Sequence, residues 1–173
     1  LTDPLDAGKG VVVALPHSGN WDHAAAYFLG RGYKAVTVAE KLKPEKVFRA
    51  FLKYREDIGL EVLSTDMRTI PTLVNRAKEG YIIALVADRD LSSNGVEVNF
   101  FDGVAKMPAG PVVIAQKAEV DLVGAFIVYT PKSIRIYFEK LDYSVQAEAD
   151  FFAKHLKSNP VDWHMLQRIW IND

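Results

Sequence analysis

Two short polar clusters hold most of the residues in this sequence that could do chemistry. Pro16-His17-Ser18-Gly19-Asn20-Trp21-Asp22 follows the apolar run Val11–Leu15, and Asp88-Arg89-Asp90 follows the apolar run Tyr81–Ala87. An imidazole beside a carboxylate suits general-base work: the acid accepts one ring N–H, fixes the tautomer and stabilises the cation, and the other nitrogen takes a proton. His17 and Asp22 are five residues apart, a spacing that on a continuous helix turns ~140° past a full circle and puts them on different faces. They meet only if His17 stays in the loop and Asp22 opens the helix, with Gly19 supplying the bend. Spacing leaves a plainer reading open as well. An Asp in a first helical turn favours the helix dipole whatever else it does, and a loop histidine is often only a surface residue.

The elements around these clusters explain their placement. Val11–Leu15, Lys34–Val38, Leu60–Leu63, Tyr81–Ala87, Val96–Phe101, Asp121–Tyr129 and Ser133–Glu139 read as strands or extended segments. Helices are expected over Asn20–Gly30 (capped by Asn20 or Ser18), Glu45–Ile58, Thr69–Lys78, Pro111–Ala118 and Val145–Leu156, with a Trp-rich end at Trp163–Ile171. Strands alternating with helices predict an α/β fold, a mixed and mainly parallel central sheet flanked by helices, with a hairpin near Tyr129–Ser133. Ligands of such sheets bind beyond the carboxyl ends of the strands, where both polar clusters fall and could converge. No repeat, linker or low-complexity tract divides residues 1–173, so one domain is expected.

Composition removes several classes of function. With no cysteine, disulfides, thiolate metal sites and a Cys nucleophile are excluded. A net charge of −1 gives no global attraction to nucleic acid. No apolar run approaches the ~18 residues that a membrane span needs.

Beyond these readings, His17-Ser18-Gly19-Asn20-Trp21-Asp22 resembles the His-x4-Asp/Glu motif of the glycerolipid acyltransferase superfamily. The Asn-Trp before the acid is similar to the bacterial branch containing lipid A late acyltransferases and phosphatidylinositol mannoside acyltransferases. Ala87-Asp88-Arg89-Asp90, Val96-Glu97-Val98-Asn99-Phe100-Phe101, Met107-Pro108-Ala109-Gly110-Pro111 and Trp163-His164-Met165-Leu166-Gln167 follow in the branch's order. Arg89 at the centre of its block leans toward the actinobacterial mannoside enzymes. The resemblance runs from Gly10 to Trp170; the family's additional N-terminal helices are not matched.

The resemblance implies an acyl-CoA-dependent O-acyltransferase with no cofactor and no metal, acting on a glycolipid hydroxyl at the cytoplasmic face of the bacterial plasma membrane in peripheral contact. It makes His17 the general base and Asp22 its orienting acid. Glu97 is then a candidate second carboxylate near the histidine, its alternative being an outward residue of an alternating strand. Arg55 lies at the edge of an apolar helical stripe and could meet a substrate phosphate. Arg89, held by Asp88 and Asp90, and Asn20 complete the expected binding set. Rival readings are a lipid A-type or other lysolipid acyltransferase, a metal-dependent DxD glycosyltransferase or phosphoesterase using His17, Asp22, Asp88 and Asp90, and a non-catalytic lipid-binding module.

Overall fold

A strand that is wholly apolar and wholly buried, β1 (Val11–Leu15), organises the sheet; such strands are covered on both faces. It pairs in parallel with β4 (Ile82–Val86) on one side and β7 (Asp121–Tyr129) on the other. Beyond β4 lie β2 (Ala35–Ala39) and β3 (Glu61–Ser64), also parallel. β8 (Ile134–Leu141) returns antiparallel to β7 through the expected hairpin, where Thr130 donates its N–H to the Ser133 carbonyl at 2.8 Å. The six-stranded order is β3-β2-β4-β1-β7-β8, the mixed, mainly parallel α/β sheet the sequence predicts. This computed structural model describes residues 1–39, 43–92 and 94–171.

Period-2 alternation along β1 splits the core in two. Val12 and Ala14 face a large cluster built with α4 (Thr69–Lys78), α5 (Gly110–Ala118) and α6 (Val145–Ser158). Val11, Val13 and Leu15 face a smaller cluster with Ala24 and Phe28 of α2 (Trp21–Leu29) and Leu5 of the short α1 (Thr2–Asp6). Each fully buried Phe, such as Phe126 or Phe152, contributes about 1.5–3 kcal/mol of transfer free energy. Gly124 in β7 is the small residue that admits the Phe151 ring, because a Cβ there would stand 2.6 Å from its Cδ1. α3 (Glu45–Asp57) has no buried residue and packs by β3. Among the described residues no helix is long and apolar enough to cross a membrane.

Two features go beyond the sequence reading. Val96–Phe100 (β5) is one arm of a separate antiparallel hairpin whose other arm is β6 (Gly103–Met107). A two-residue loop joins them, with Phe101 at φ 55°, the left-handed region such tight hairpins use. The Trp-rich end forms no regular element. After a 3-10 turn at Pro160–Asp162 it runs as a strap with isolated bridges from Trp163 to Ser18 and from Trp170 to Ala105.

Candidate active site

The register of β1 against β4 brings the two polar clusters together. Leu15 lies opposite Val86, and Ala87 N–H donates to the Leu15 carbonyl at 2.8 Å. Pro16-His17 and Ala87-Asp88 therefore leave the sheet side by side although His17 and Asp88 are 71 residues apart. The Asp88 carboxylate, at 0% exposure, accepts from three donors: His17 Nδ1 at 2.6 Å and His17 backbone N–H at 3.0 Å, and Trp163 Nε1 at 2.8 Å. With a carboxylate as acceptor, neutral His17 carries its proton on Nδ1 and its lone pair on Nε2. Nε2 makes no hydrogen bond among the described residues.

The loop carrying His17 is tied on several sides. Ser18, fully buried, donates its hydroxyl to the Ile127 carbonyl at 2.9 Å. Gly19 N–H donates to the Asp162 carbonyl at 2.9 Å, and His164 N–H donates to the His17 carbonyl at 2.7 Å. Gly19 sits at φ 61°, and a Cβ there would fall 2.5 Å from the Ile127 oxygen, so glycine is required twice over. Trp21 meets the His17 ring edge-on at 5.8 Å.

Asp22 is not the partner of His17. It stands in the first turn of α2, as expected, but its two oxygens take the Arg55 fork, Nε at 2.8 Å and Nη2 at 3.2 Å, with both side chains 18% exposed. The reason is geometric: the imidazole turns toward the carboxylate leaving the adjacent strand, while Asp22 faces the last turn of α3. The expectation that Asp88 and Asp90 hold Arg89 also fails. Asp88 is taken by His17 and Trp163, Asp90 Oδ1 accepts from Ser92 N–H at 2.8 Å, and Arg89 forms no ion pair among the described residues.

The remaining candidates divide. Asn20 caps α2, its Oδ1 accepting from His23 N–H at 2.8 Å. Glu97 is exposed on β5, opposite Lys106, and does not line the cavity that His17 lines, because Val98 and Phe100 take the inward positions of the alternation. Among the described residues, no group of three or more His, Asp or Glu side chains is clustered as a metal site.

His17, Asp22, Arg55, Arg89 and Asp90 line one cavity of about 850 Å³. Its walls are otherwise mostly apolar: Val13, Leu15, Ala84, Val86, Ala125 and Ile127 from the sheet, Ala24, Ala25 and Phe28 from α2, Phe48, Phe51 and Leu52 from α3. Small alanines across the sheet and α2 leave the space open on the face where helices cover least. A volume of this size is typical of small-molecule sites. Among the described residues, the chemistry available is a tied base with an unbonded nitrogen, a guanidinium in no ion pair, and an apolar chamber beside both.

Sequence reasoning missed Asp88 as the partner of His17, and missed Trp163. A signal for the first was present: His17 follows Leu15 by two residues, Asp88 follows Val86 by two, and Leu15 and Val86 are register partners.

Comparison with known proteins gives the family. Residues 1–172 match the family described as bacterial lipid A biosynthesis acyltransferase. The chain is 42% identical over its whole length to a phosphatidylinositol mannoside acyltransferase of Mycolicibacterium smegmatis, covering 60% of that protein. It is 39% identical over its whole length to a phosphatidylinositol mannoside acyltransferase of Mycobacterium tuberculosis, covering 58% of it. It thus spans less than two thirds of the length of these curated relatives. On the match over residues 1–172, the chain belongs to the bacterial lipid A biosynthesis acyltransferase family.

Proposed function

We propose that this chain carries the catalytic centre of an enzyme that moves a fatty acyl group from acyl-CoA to a glycolipid hydroxyl, a mannose hydroxyl of a phosphatidylinositol mannoside. The observation behind this reading is the His17–Asp88 pair at 2.6 Å on the wall of an apolar cavity of about 850 Å³. The names of the relatives point to the same acceptor class.

In this reading His17 Nε2 takes the proton of the acceptor hydroxyl as its oxygen attacks the thioester carbonyl carbon. The carbonyl electrons move onto oxygen. Collapse of the tetrahedral intermediate then forms the ester and breaks the C–S bond, and the CoA thiolate leaves with the proton from Nε2. Asp88 holds the ring and stabilises the transient imidazolium. General-base catalysis of this kind contributes about 10²–10⁴-fold, and positioning and oxyanion stabilisation supply the rest. The cavity takes the acyl chain, and Arg89 meets a phosphate of donor or acceptor. Asp22 acts indirectly by fixing Arg55 on the opposite wall. No step needs a metal ion. The protein works in peripheral contact with the cytoplasmic face of the plasma membrane, a reading supported by the half-exposed Val47, Phe51 and Tyr54 of α3.

The test mixes palmitoyl-CoA with a mannosylated phosphatidylinositol, adds a chelator and follows free CoA, with His17→Ala and a no-acceptor control in parallel. Acceptor-dependent release that survives chelation and collapses in the variant is the expected result. Release without acceptor would indicate a thioesterase. Release abolished by the chelator would favour the metal-dependent rival, and acyl-CoA binding without release a non-catalytic lipid-binding module.

A further inference from the structure

The strap at residues 160–171 reaches the active site through one side chain that the acyl-transfer chemistry does not itself require. Asp88 Oδ1 faces the imidazole, whereas Oδ2 receives two N–H groups, the His17 backbone at 3.0 Å and the Trp163 indole at 2.8 Å. The strap is aligned with the loop it serves: Trp163 bridges to Ser18, His164 N–H donates to the His17 carbonyl at 2.7 Å, and Asp162 binds Gly19 N–H at 2.9 Å and Tyr129 N–H at 3.2 Å. The indole leans edge-on against Phe100 at 6.0 Å. Packing alone would account for the ring but not for an N–H aimed at a carboxylate with no exposure.

We propose that Trp163 is a positioning residue for the base: its indole N–H fixes and partly neutralises the Asp88 carboxylate, and thereby sets both the orientation and the basicity of His17. This inference rests on the acyl-transfer reading. A carboxylate that shares its electron density with an indole donor stabilises an imidazolium less than one that does not. Without the indole N–H, Asp88 turns more of its charge toward Nδ1, and His17 becomes a stronger base that releases its proton less readily to the leaving group. Among the described residues, the other charged or titratable side chains that line the cavity with His17 are the Asp22–Arg55 pair, Arg89 and Asp90, with His164 beyond Trp21, and none is altered when the indole N–H is removed.

The experiment compares wild type with Trp163→Phe, which keeps an aromatic ring, and with 3-benzothienylalanine at position 163, which replaces only the N–H by sulfur. Two readouts are taken: the acidic limb of the pH profile of kcat/KM for acyl transfer, and the NMR titration of the His17 ring proton, assigned by its loss in His17→Ala. In both variants the limb and the titration are expected to move upward together by about one pH unit. kcat should fall about tenfold while KM for acyl-CoA stays unchanged. A variant that melts earlier yet titrates as wild type, or one whose titration moves downward, overturns the proposal. The two readings fail separately: activity surviving in His17→Ala removes His17 from the chemistry, while the NMR titration still decides whether the indole tunes its ring.

Discussion

Asp88→Asn separates charge from shape at the base. The amide fills the same pocket but brings no charge to stabilise the imidazolium, so kcat should fall about 10²–10⁴-fold with little change in KM for acyl-CoA, measured by steady-state kinetics. A variant within a few-fold of wild type would remove Asp88 from the mechanism. Asp22→Asn should behave differently, because Asp22 holds Arg55 and not His17. It is expected to cost about 1.5–3 kcal/mol of stability, the range for hydrogen bonds to charged groups, and a double-mutant cycle with Arg55→Ala should show the two changes coupled in denaturant melts. His17 was legible in the sequence because it follows a buried strand in a polar loop. Its partner was not, because spacing reports local neighbours, and a contact across 71 residues depends on which strands lie side by side.

At the scale of elements, α6 carries a buried acid with a measurable cost. Glu148 has no exposure, and its two carboxylate oxygens have no partner among the described residues. Burial alone pushes its carboxyl from the ordinary 4.5 up to about 8. The folded state therefore keeps the neutral form while the unfolded chain ionises. The contribution of this group to stability is fully present below the ordinary carboxyl range, declines as pH rises toward about 8, and is gone above it. Glu148→Gln should flatten this dependence and raise stability by a few kcal/mol at alkaline pH, read as urea melts at acid and alkaline pH; parallel curves for the two proteins would contradict it. Gly19→Ala should cost about 1–3 kcal/mol through its positive φ and also displace the His17 loop from Ile127, so activity should fall more than stability alone explains. The unbroken apolar runs of β1, β4 and β7 made those strands plain from sequence. β6 was missed because Gly103-Val104-Ala105-Lys106-Met107 carries a glycine and a lysine in five residues, and the strap because it has neither a helical nor a strand period.

For the molecule as a whole, the sheet is sheltered by helices on one face and left with a chamber on the other. The lid of that chamber is partly α3, whose Phe48, Phe51 and Leu52 line it while Val47, Phe51 and Tyr54 are about half exposed. Replacing Val47 and Tyr54, which do not line the chamber, by serine should weaken binding to phospholipid vesicles in a sedimentation assay and slow turnover of a membrane-presented acceptor. Unchanged sedimentation would assign the membrane contact to another surface. The general architecture was legible because helix and strand periods alternate cleanly along the chain. The chamber was not, since it arises from where alanines on the sheet and on α2 happen to face one another.

The strap also places the active site in the order of synthesis. A chain emerging from the ribosome completes all six sheet strands once Leu141 is out, and domains fold progressively as they appear. At that moment His17 and Asp88 have both been made, but Trp163, 75 residues beyond Asp88, has still to be translated. A nascent chain at that stage lacks both the indole that meets Asp88 Oδ2 and Phe151 and Phe152 of α6, which complete the larger core, so the histidine–carboxylate pair is made before the residue that tunes it.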